Sequence, residues 1–256
     1  GKETIPVLDA QAKMYGFTVK HVPVAHPGNE QQSQWLQVRQ EKPDWVILRG
    51  WGVMNPTALK AAAKIGFPRE KIVGVWWSGA EEDTIPAGAA AKGYISAGFN
   101  VSGTNYPVIK DIQKYVVAKG KTNMEDKSRI GSVYYNRGVV HGIITVEAIR
   151  KAQEKYGKGK SITGEQMRWG IENLNIDAAM LKKLGAEGFM PALKMSCANH
   201  EGSGLVKFQQ WDGKQWKVIT DWIESDQKLV RGMIEESAAK YAKEKNITPR
   251  DCSKES

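Results

Sequence analysis

The chain has 256 residues, of which 41% are apolar and 25% are charged. This composition is typical of a folded globular protein, and it excludes a disordered chain or a fibrous protein. No stretch approaches the roughly 18 consecutive apolar residues that a membrane-spanning helix needs. The first ten residues lack the basic-then-apolar pattern of a secretion signal, so a secreted chain would be a mature or truncated form.

The net charge of +9 raises the possibility of nucleic-acid binding, which the distribution of charge does not favour. The basic excess is spread over both halves of the chain, and no predicted helix carries an unbroken basic face. The nearest approach to a basic cluster, at 155–160, has the composition of a loop. We therefore expect a solvated basic surface and no nucleic-acid partner.

The first hundred residues alternate between helical and strand periodicity. Helices are predicted over 3–15, 29–41, 56–65 and near 80–88, and strands over 17–25, 44–50, 71–77 and 92–99. The almost wholly apolar stretch 44–50 is typical of a parallel strand that is buried on both faces. Because the connections are short, this order predicts an α/β fold in which helices flank a parallel sheet.

After Pro107 the periodicity is mainly helical. Helices are predicted over 107–119, 129–156, 163–174, 177–184 and 226–245. The stretch 205–223 has two alternating halves around Asp212-Gly213, which predicts a β-hairpin. Apart from this hairpin, we expect no strands after residue 122.

The two cysteines, Cys197 and Cys252, show no CxxC or Cys/His spacing, so we expect no metal site. They are either free thiols or the two ends of a disulfide. A disulfide would fit an oxidising compartment and could add roughly 4 kcal/mol by closing a long loop. We favour the disulfide, because Cys252 lies in a polar tail that needs an anchor.

Aromatic and polar residues follow two neighbouring strands of the predicted sheet. They are Gly50, Trp51, Gly52, Trp76, Trp77, Ser78 and Glu81. In open parallel sheets, ligands bind beyond the carboxyl ends of the strands, and aromatic walls with a few polar groups are typical of a small-molecule site. The alternatives are that the tryptophans belong to the core and that the acids after Ser78 cap the next helix.

The sequence contains no recognised catalytic motif. It has no phosphate-binding glycine loop and no GxSxG nucleophile elbow, and its four histidines lack metal-ligand spacing. His200 lies in a glycine-rich loop, where we expect a structural role. An α/β enzyme with Glu81 or Glu82 as general base remains an alternative, although we find no partner acid, metal or cofactor site for it.

Five passages occur in an order that carries a family resemblance. They are PDWVILRGWG, AAKIGFPREKIVG, AGAAAKGYISAGF, the helix VYYNRGVVHGIITVEAIRKA and the hairpin GLVKFQQWDGKQWKVI. In this order, over almost the whole chain, the sequence resembles the type I periplasmic solute-binding proteins of branched-chain amino-acid (Leu/Ile/Val) ABC transporters. No single motif is decisive, but the ordered set is fairly specific.

The resemblance implies a two-lobed clamp that closes on a small organic solute and delivers it to an ABC permease in the membrane. It assigns residues 1–121 to the second lobe, 122–198 to the returning helical part of the first lobe, and 199–256 to closing strands, helix and tail. Most of the first lobe is absent from the chain. A periplasmic location is implied, with no cofactor, metal or catalysis. A sensory or adaptor domain that keeps the clamp is the alternative.

By position, the resemblance places the second-lobe ligand contacts at Trp51, with the Gly50 and Gly52 backbone, and at 76–78. The position at which the family carries a carboxylate for an α-amino group is occupied here by Trp76 or Ser78. An aromatic or other organic acid therefore stands beside an amino acid as the expected solute. Because the region after 122 would expose an apolar helix face that normally packs on the missing first lobe, we also expect the isolated chain to be poorly soluble or to self-associate.

Overall fold

A computed structural model describes residues 2–254, which divide into two compact units. The first unit comprises Gly1–Ser102 and Val206–Ile223, and the second comprises Gly103–Leu205 and Glu224–Ser256. The chain therefore passes between the units three times. The assignment of 1–121, 122–198 and 199–256 to lobes stays a prediction.

The described residues form nine α-helices and eight strands, with short 3₁₀ and π turns between them. The helices are α1 (Ile5–Tyr15), α2 (Gln32–Glu41), α3 (Met54–Lys64), α4 (Glu81–Thr84), α5 (Pro107–Ile112), α6 (Val133–Tyr156), α7 (Gly164–Glu172), α8 (Ala178–Lys183) and α9 (Gln227–Glu244). The strands are β1 (Val46–Leu48), β2 (Ile72–Gly74), β3 (Ile95–Gly98), β4 (Asn175–Ile176), β5 (Leu193–Lys194), β6 (Leu205–Trp211), β7 (Trp216–Val218) and β8 (Ile223–Glu224).

The first unit is built on a mixed sheet with the order β1-β2-β3-β6-β7, and β8 also pairs with β6. Strands β1, β2 and β3 are parallel, whereas β6 and β7 add antiparallel pairs. The α/β class, with a parallel sheet flanked by helices, is confirmed. The hairpin around Asp212-Gly213 is confirmed too, since β6 and β7 pair on either side of it, and Gly213 has a φ of 108°.

The strand predicted over 17–25 is wrong, because this segment pairs with no strand among residues 2–254. Its polar groups contact helices instead. His21 Nε2 lies 2.7 Å from Asp9 Oδ1 of α1, and Gln34 of α2 donates to the Pro23 carbonyl at 3.2 Å. Alternation alone does not make a strand, since the backbone also needs a neighbouring ladder to pair with.

The prediction that 44–50 is buried on both faces is also wrong. Ile47, in the middle of β1, is 53% exposed. The reason is its position, because β1 is the end strand of the described sheet and has a strand neighbour on one side only. An apolar stretch predicts a strand well, but it does not tell a central strand from an edge strand.

The second unit is mainly helical, with a two-stranded antiparallel sheet of β4 and β5. The expectation that the chain has no strands after residue 122 apart from the hairpin is therefore wrong. These strands have two residues each, which is too short for alternation to be visible. Helices α6 and α7 approach closely at Gly170, where a Cβ would collide with the Ala148 carbonyl.

Among the described residues 2–254, no helix is both long and apolar enough to cross a membrane. The same residues hold no group of three or more side chains that could ligate a metal ion.

Candidate functional site

The carboxyl ends of β1 and β2 lie side by side in the first unit. These strands are parallel neighbours, with Leu48 opposite Gly74. Just beyond them, the buried Ser78 hydroxyl donates to the Gly50 carbonyl at 2.7 Å and lies 3.3 Å from the Leu48 carbonyl. The structure thus brings together the two groups of candidate residues, 50–52 and 76–78.

Two of the three candidate tryptophans project from this edge of the sheet. Trp51 is 61% exposed and Trp77 is 51% exposed. Trp76 is half-buried, with its ring centroid 6.5 Å from that of Trp77. The Arg49 guanidinium carbon lies 5.6 Å from the Trp76 centroid, so that ring already contacts a cation of the chain. Trp51 and Trp77 are therefore the outward-facing rings.

Ser78 is buried, whereas a side chain that contacts a ligand would be accessible. Its side chain is fully buried, at 0% exposure, and its hydroxyl donates to the Gly50 carbonyl just after β1. Its own carbonyl accepts a hydrogen bond of 2.6 Å from the Tyr94 hydroxyl. In the described structure Ser78 joins the two strand ends and does not face solvent.

Of the three acids that follow Ser78, Asp83 caps the next helix and Glu81 and Glu82 are half-buried. Asp83 Oδ2 accepts the Ala80 N–H at 2.8 Å, so this carboxylate caps α4 as the structural alternative proposed. Its Oδ1 accepts from Asn55 at 2.7 Å, and the same Asn55 amide donates to the Trp77 carbonyl at 3.0 Å. Glu81, the first residue of α4, is half-buried and follows β2 in the chain by seven residues.

The glycines beside Trp51 allow this close packing. A Cβ on Gly50 would collide with the Asn55 side chain and lie 3.2 Å from Met54 Cβ. Gly52 has a φ of 55°, in the left-handed region that favours glycine. The motif Gly-Trp-Gly thus lets the chain turn sharply after β1 and leaves the indole of Trp51 projecting outward.

The comparison with known families agrees with this architecture. Residues 1–215 match the sequence model of the periplasmic binding protein family. The chain belongs to this family. The proteins of the family are solute-binding proteins, and membership implies an extracytoplasmic location. Among curated proteins, no sequence matches the chain.

Solved structures of ABC-transporter proteins share the fold of the chain. A Pseudomonas fluorescens group protein, described as an ABC transporter permease, is 49% identical, with a TM-score of 0.95 over 98% of this chain and 60% of its own. A Thermus thermophilus branched-chain amino-acid ABC transporter with bound valine is 22% identical, with a TM-score of 0.67 over 89% and 58%. A Rhodopseudomonas palustris (R. palustris) solute-binding protein in complex with benzoate is 16% identical, with a TM-score of 0.61 over 88% and 57%.

The two more distant structures show a shared fold. The chain spans about 60% of the length of the Pseudomonas protein and slightly less of the other two.

In the second unit of this periplasmic binding protein, a disulfide joins Cys197 to Cys252, with their Cα atoms 5.6 Å apart. Beside it, Arg250 donates to both carboxylate oxygens of Glu172, at 2.7 and 3.1 Å. His200 Nε2 lies 3.1 Å from the same carboxylate. The hydrogen bonds from Arg250 hold the pKa of Glu172 below its ordinary value. His200 therefore takes part in an ion-pair cluster that fastens the tail, as its expected structural role allows.

The second unit also contains an open groove of about 890 Å³ between the β4–β5 pair and the start of α9. Polar side chains that line the groove already accept hydrogen bonds from backbone N–H groups. Asp177 accepts the Met180 N–H at 2.9 Å, and the Ser203 hydroxyl accepts the Leu205 N–H at 3.4 Å. We place the candidate site at the strand ends instead, because aromatic rings project there beyond a parallel sheet.

Sequence reasoning did not single out Asn55 or Tyr94. Asn55 left a weak signal, since it is a polar residue in the first turn of the helix that follows β1. Tyr94 left none, because an aromatic residue beside a strand is expected in any sheet. Both are fully buried and fix the loops that carry the tryptophans.

Proposed function

We propose that the chain is the solute-binding part of an extracytoplasmic substrate-binding protein that serves a branched-chain-amino-acid-type ABC importer. The observation that carries this proposal is the pair of exposed indoles, Trp51 and Trp77, beyond the carboxyl ends of adjacent parallel strands. A periplasmic location and a role without catalysis belong to the same proposal. The family match and the structural neighbours support it.

The proposed mechanism is binding followed by closure. A small organic solute rests against the indoles at the strand ends, and Glu81 contributes to the polar part of the site. In the complete protein, the first lobe closes over the solute, and the closed form docks on the permease subunits. No cofactor takes part, because the solute is held and released unchanged.

The solute is proposed to be an amino acid or an aromatic or other organic acid. Two neighbours with the same fold are described with bound valine and with benzoate. These molecules share a carboxylate and a small apolar body. Such a body fits an edge lined by indole rings, which provide large apolar surfaces with one hydrogen-bond donor each.

The test compares two tryptophan variants, one on either side of β1. Trp51→Ala removes the ring at the carboxyl end of β1, and Trp45→Ala removes the ring before its amino end. Both indoles are largely exposed, and the Lys71 ammonium lies 4.4 Å from the centroid of the Trp45 ring. We expect Trp51→Ala to weaken solute binding by roughly 1–3 kcal/mol and Trp45→Ala to leave it unchanged.

Calorimetry with L-valine and benzoate as probes measures both variants. Equal affinities of the unmodified protein and Trp51→Ala would remove this ring from the site. Equal losses in both variants would show a general effect of losing an exposed tryptophan, and would argue against a site at the strand ends.

A further inference from the structure

A histidine from a distant loop lies beside the exposed ring of Trp51. The ring centroids of His26 and Trp51 are 5.7 Å apart, and their planes are inclined by 35°. This separation is within the range of attractive aromatic contacts. Both side chains are exposed, so together they present a continuous two-ring surface next to the end of β1.

Buried groups hold the loop that carries His26 in place. The Gln31 side chain is buried, and its amide donates to the Gly28 carbonyl at 2.9 Å and to the Met54 carbonyl at 2.8 Å. Its oxygen accepts from the Trp35 indole at 3.3 Å. Gly28 has a φ of 80°, and a Cβ there would collide with the Met54 side chain. The loop is therefore docked on the first residue of α3, three residues after Trp51.

The chemistry of the two rings favours one class of solute. The indole N–H of Trp51 is a donor without acceptor capacity, and imidazole keeps at least one N–H donor in each of its protonation states. Two adjacent aromatic planes favour a planar partner, and two adjacent donors favour a partner that accepts hydrogen bonds. A planar organic acid, such as an aromatic carboxylate, meets both requirements.

We propose that His26 is a specificity-determining residue of the solute site. With Trp51 it forms a two-ring wall, and its imidazole N–H donates to the acidic group of a planar carboxylate. This inference rests on the proposed function, which it deepens by naming the solute class. It makes the loop 26–31 a third segment of the site, beside 50–52 and 76–78.

Two substitutions separate the ring from the hydrogen bond. His26→Phe keeps an aromatic ring and removes the donor, whereas His26→Ala removes both. The control is His21→Phe, since His21 is a partly exposed histidine that contacts Asp9 of α1 at 2.7 Å. Benzoate is the planar probe and L-valine the non-planar one, and binding is followed by calorimetry and tryptophan fluorescence.

We expect the unmodified protein to bind benzoate more tightly than valine. His26→Phe should weaken benzoate binding by about fivefold, and His26→Ala by more than about tenfold. His21→Phe should bind benzoate as the unmodified protein does. Valine affinity should change less than benzoate affinity in both His26 variants.

The Trp51 and His26 variants together distinguish a wrong role for His26 from a wrong position of the site. If Trp51→Ala weakens binding and His26→Ala does not, the site stands and His26 has no part in its specificity. If benzoate binds no more tightly than valine, or does not bind, the proposed solute class is wrong. If His26→Ala weakens binding and Trp51→Ala does not, the two-ring wall is wrong, because His26 then acts without Trp51.

Discussion

At the residue scale, the groups that hold the strand ends together are more deeply buried than the groups that face outward. Ser78 and Asn55 are fully buried and bind carbonyl oxygens of neighbouring loops, whereas Trp51 and Trp77 project from those loops. The sequence predicted Trp51 and Trp77 as ligand contacts because they follow strands. It predicted the same for Ser78, because the burial of Ser78 depends on contacts with a neighbouring loop, which position along the chain does not show.

Gly50→Ala tests how tightly these loops are packed. The added Cβ would collide with the Asn55 side chain, so we expect the free energy of unfolding to fall by about 1–3 kcal/mol. The control is Gly138→Ala in α6, where a Cβ would meet open space. This change should stabilise the chain by about 0.5–1 kcal/mol, because alanine favours a helix more than glycine does.

Urea unfolding measures both glycine variants. A Gly50→Ala chain as stable as the unmodified one would mean that the loop after β1 moves aside without cost. The strand ends would then be a flexible edge and not a preformed site.

At the scale of elements, sequence periodicity predicted most helices and the strands of the central sheet. The remaining errors share a cause, since pairing partners and neighbours are not visible in a single segment. The segment 17–25 alternates as a strand does, but it lies against α1 and α2. Strands β4 and β5 exist because they pair with each other, although neither is long enough to show a pattern.

The carboxyl-terminal tail provides a test at this scale. Arg250 binds the carboxylate of Glu172, whose side chain is only 6% exposed. Arg250→Ala would leave that carboxylate buried with His200 as its remaining hydrogen-bond partner, so we expect a loss of about 2 kcal/mol at neutral pH. Lys254→Ala, in an exposed pair with Asp251 of the same tail, should change stability little.

The effect of Arg250→Ala should depend on pH. Because Arg250 lowers the pKa of Glu172, the pair stabilises the folded chain above the ordinary value of 4.5, and this contribution is lost as the pH falls through the lowered pKa. Urea midpoints of the two chains should therefore converge on acidification. A difference that stayed constant from neutral to strongly acidic pH would contradict an ionic role for the pair.

At the scale of the whole molecule, large exposed apolar side chains are more numerous in the first unit than in the second. Those at least 44% exposed are, in the first unit, Met14, Tyr15, Phe17, Leu36, Trp45, Ile47, Trp51, Val53, Trp77, Ile85, Val218, Ile219 and Ile223, and in the second, Tyr115, Val146, Tyr241 and Ile247. Helix α6 exposes the small or polar residues Gly138, His141, Gly142 and Thr145 together with the apolar Val146. The basis for self-association thus lies in the first unit more than in the second.

We expect the purified 256-residue chain to self-associate as its concentration rises, because exposed apolar surface of this extent favours contacts between copies. Light scattering over a concentration series measures the effect. The net charge of +9 opposes association, so added salt should strengthen it by screening. A monodisperse monomer at every concentration would contradict the expectation.

The return of the chain to the first unit sets an order of events during synthesis. Strand β6 pairs with β3, and Gln210 donates to the Gly93 carbonyl across 117 residues. At about 5–20 residues per second, the ribosome needs roughly 6 to 23 seconds to make that stretch. Throughout this time β3 has an open edge, which is a template for pairing with other chains. Most of the second unit is made within that interval, while the sheet of the first unit is still incomplete.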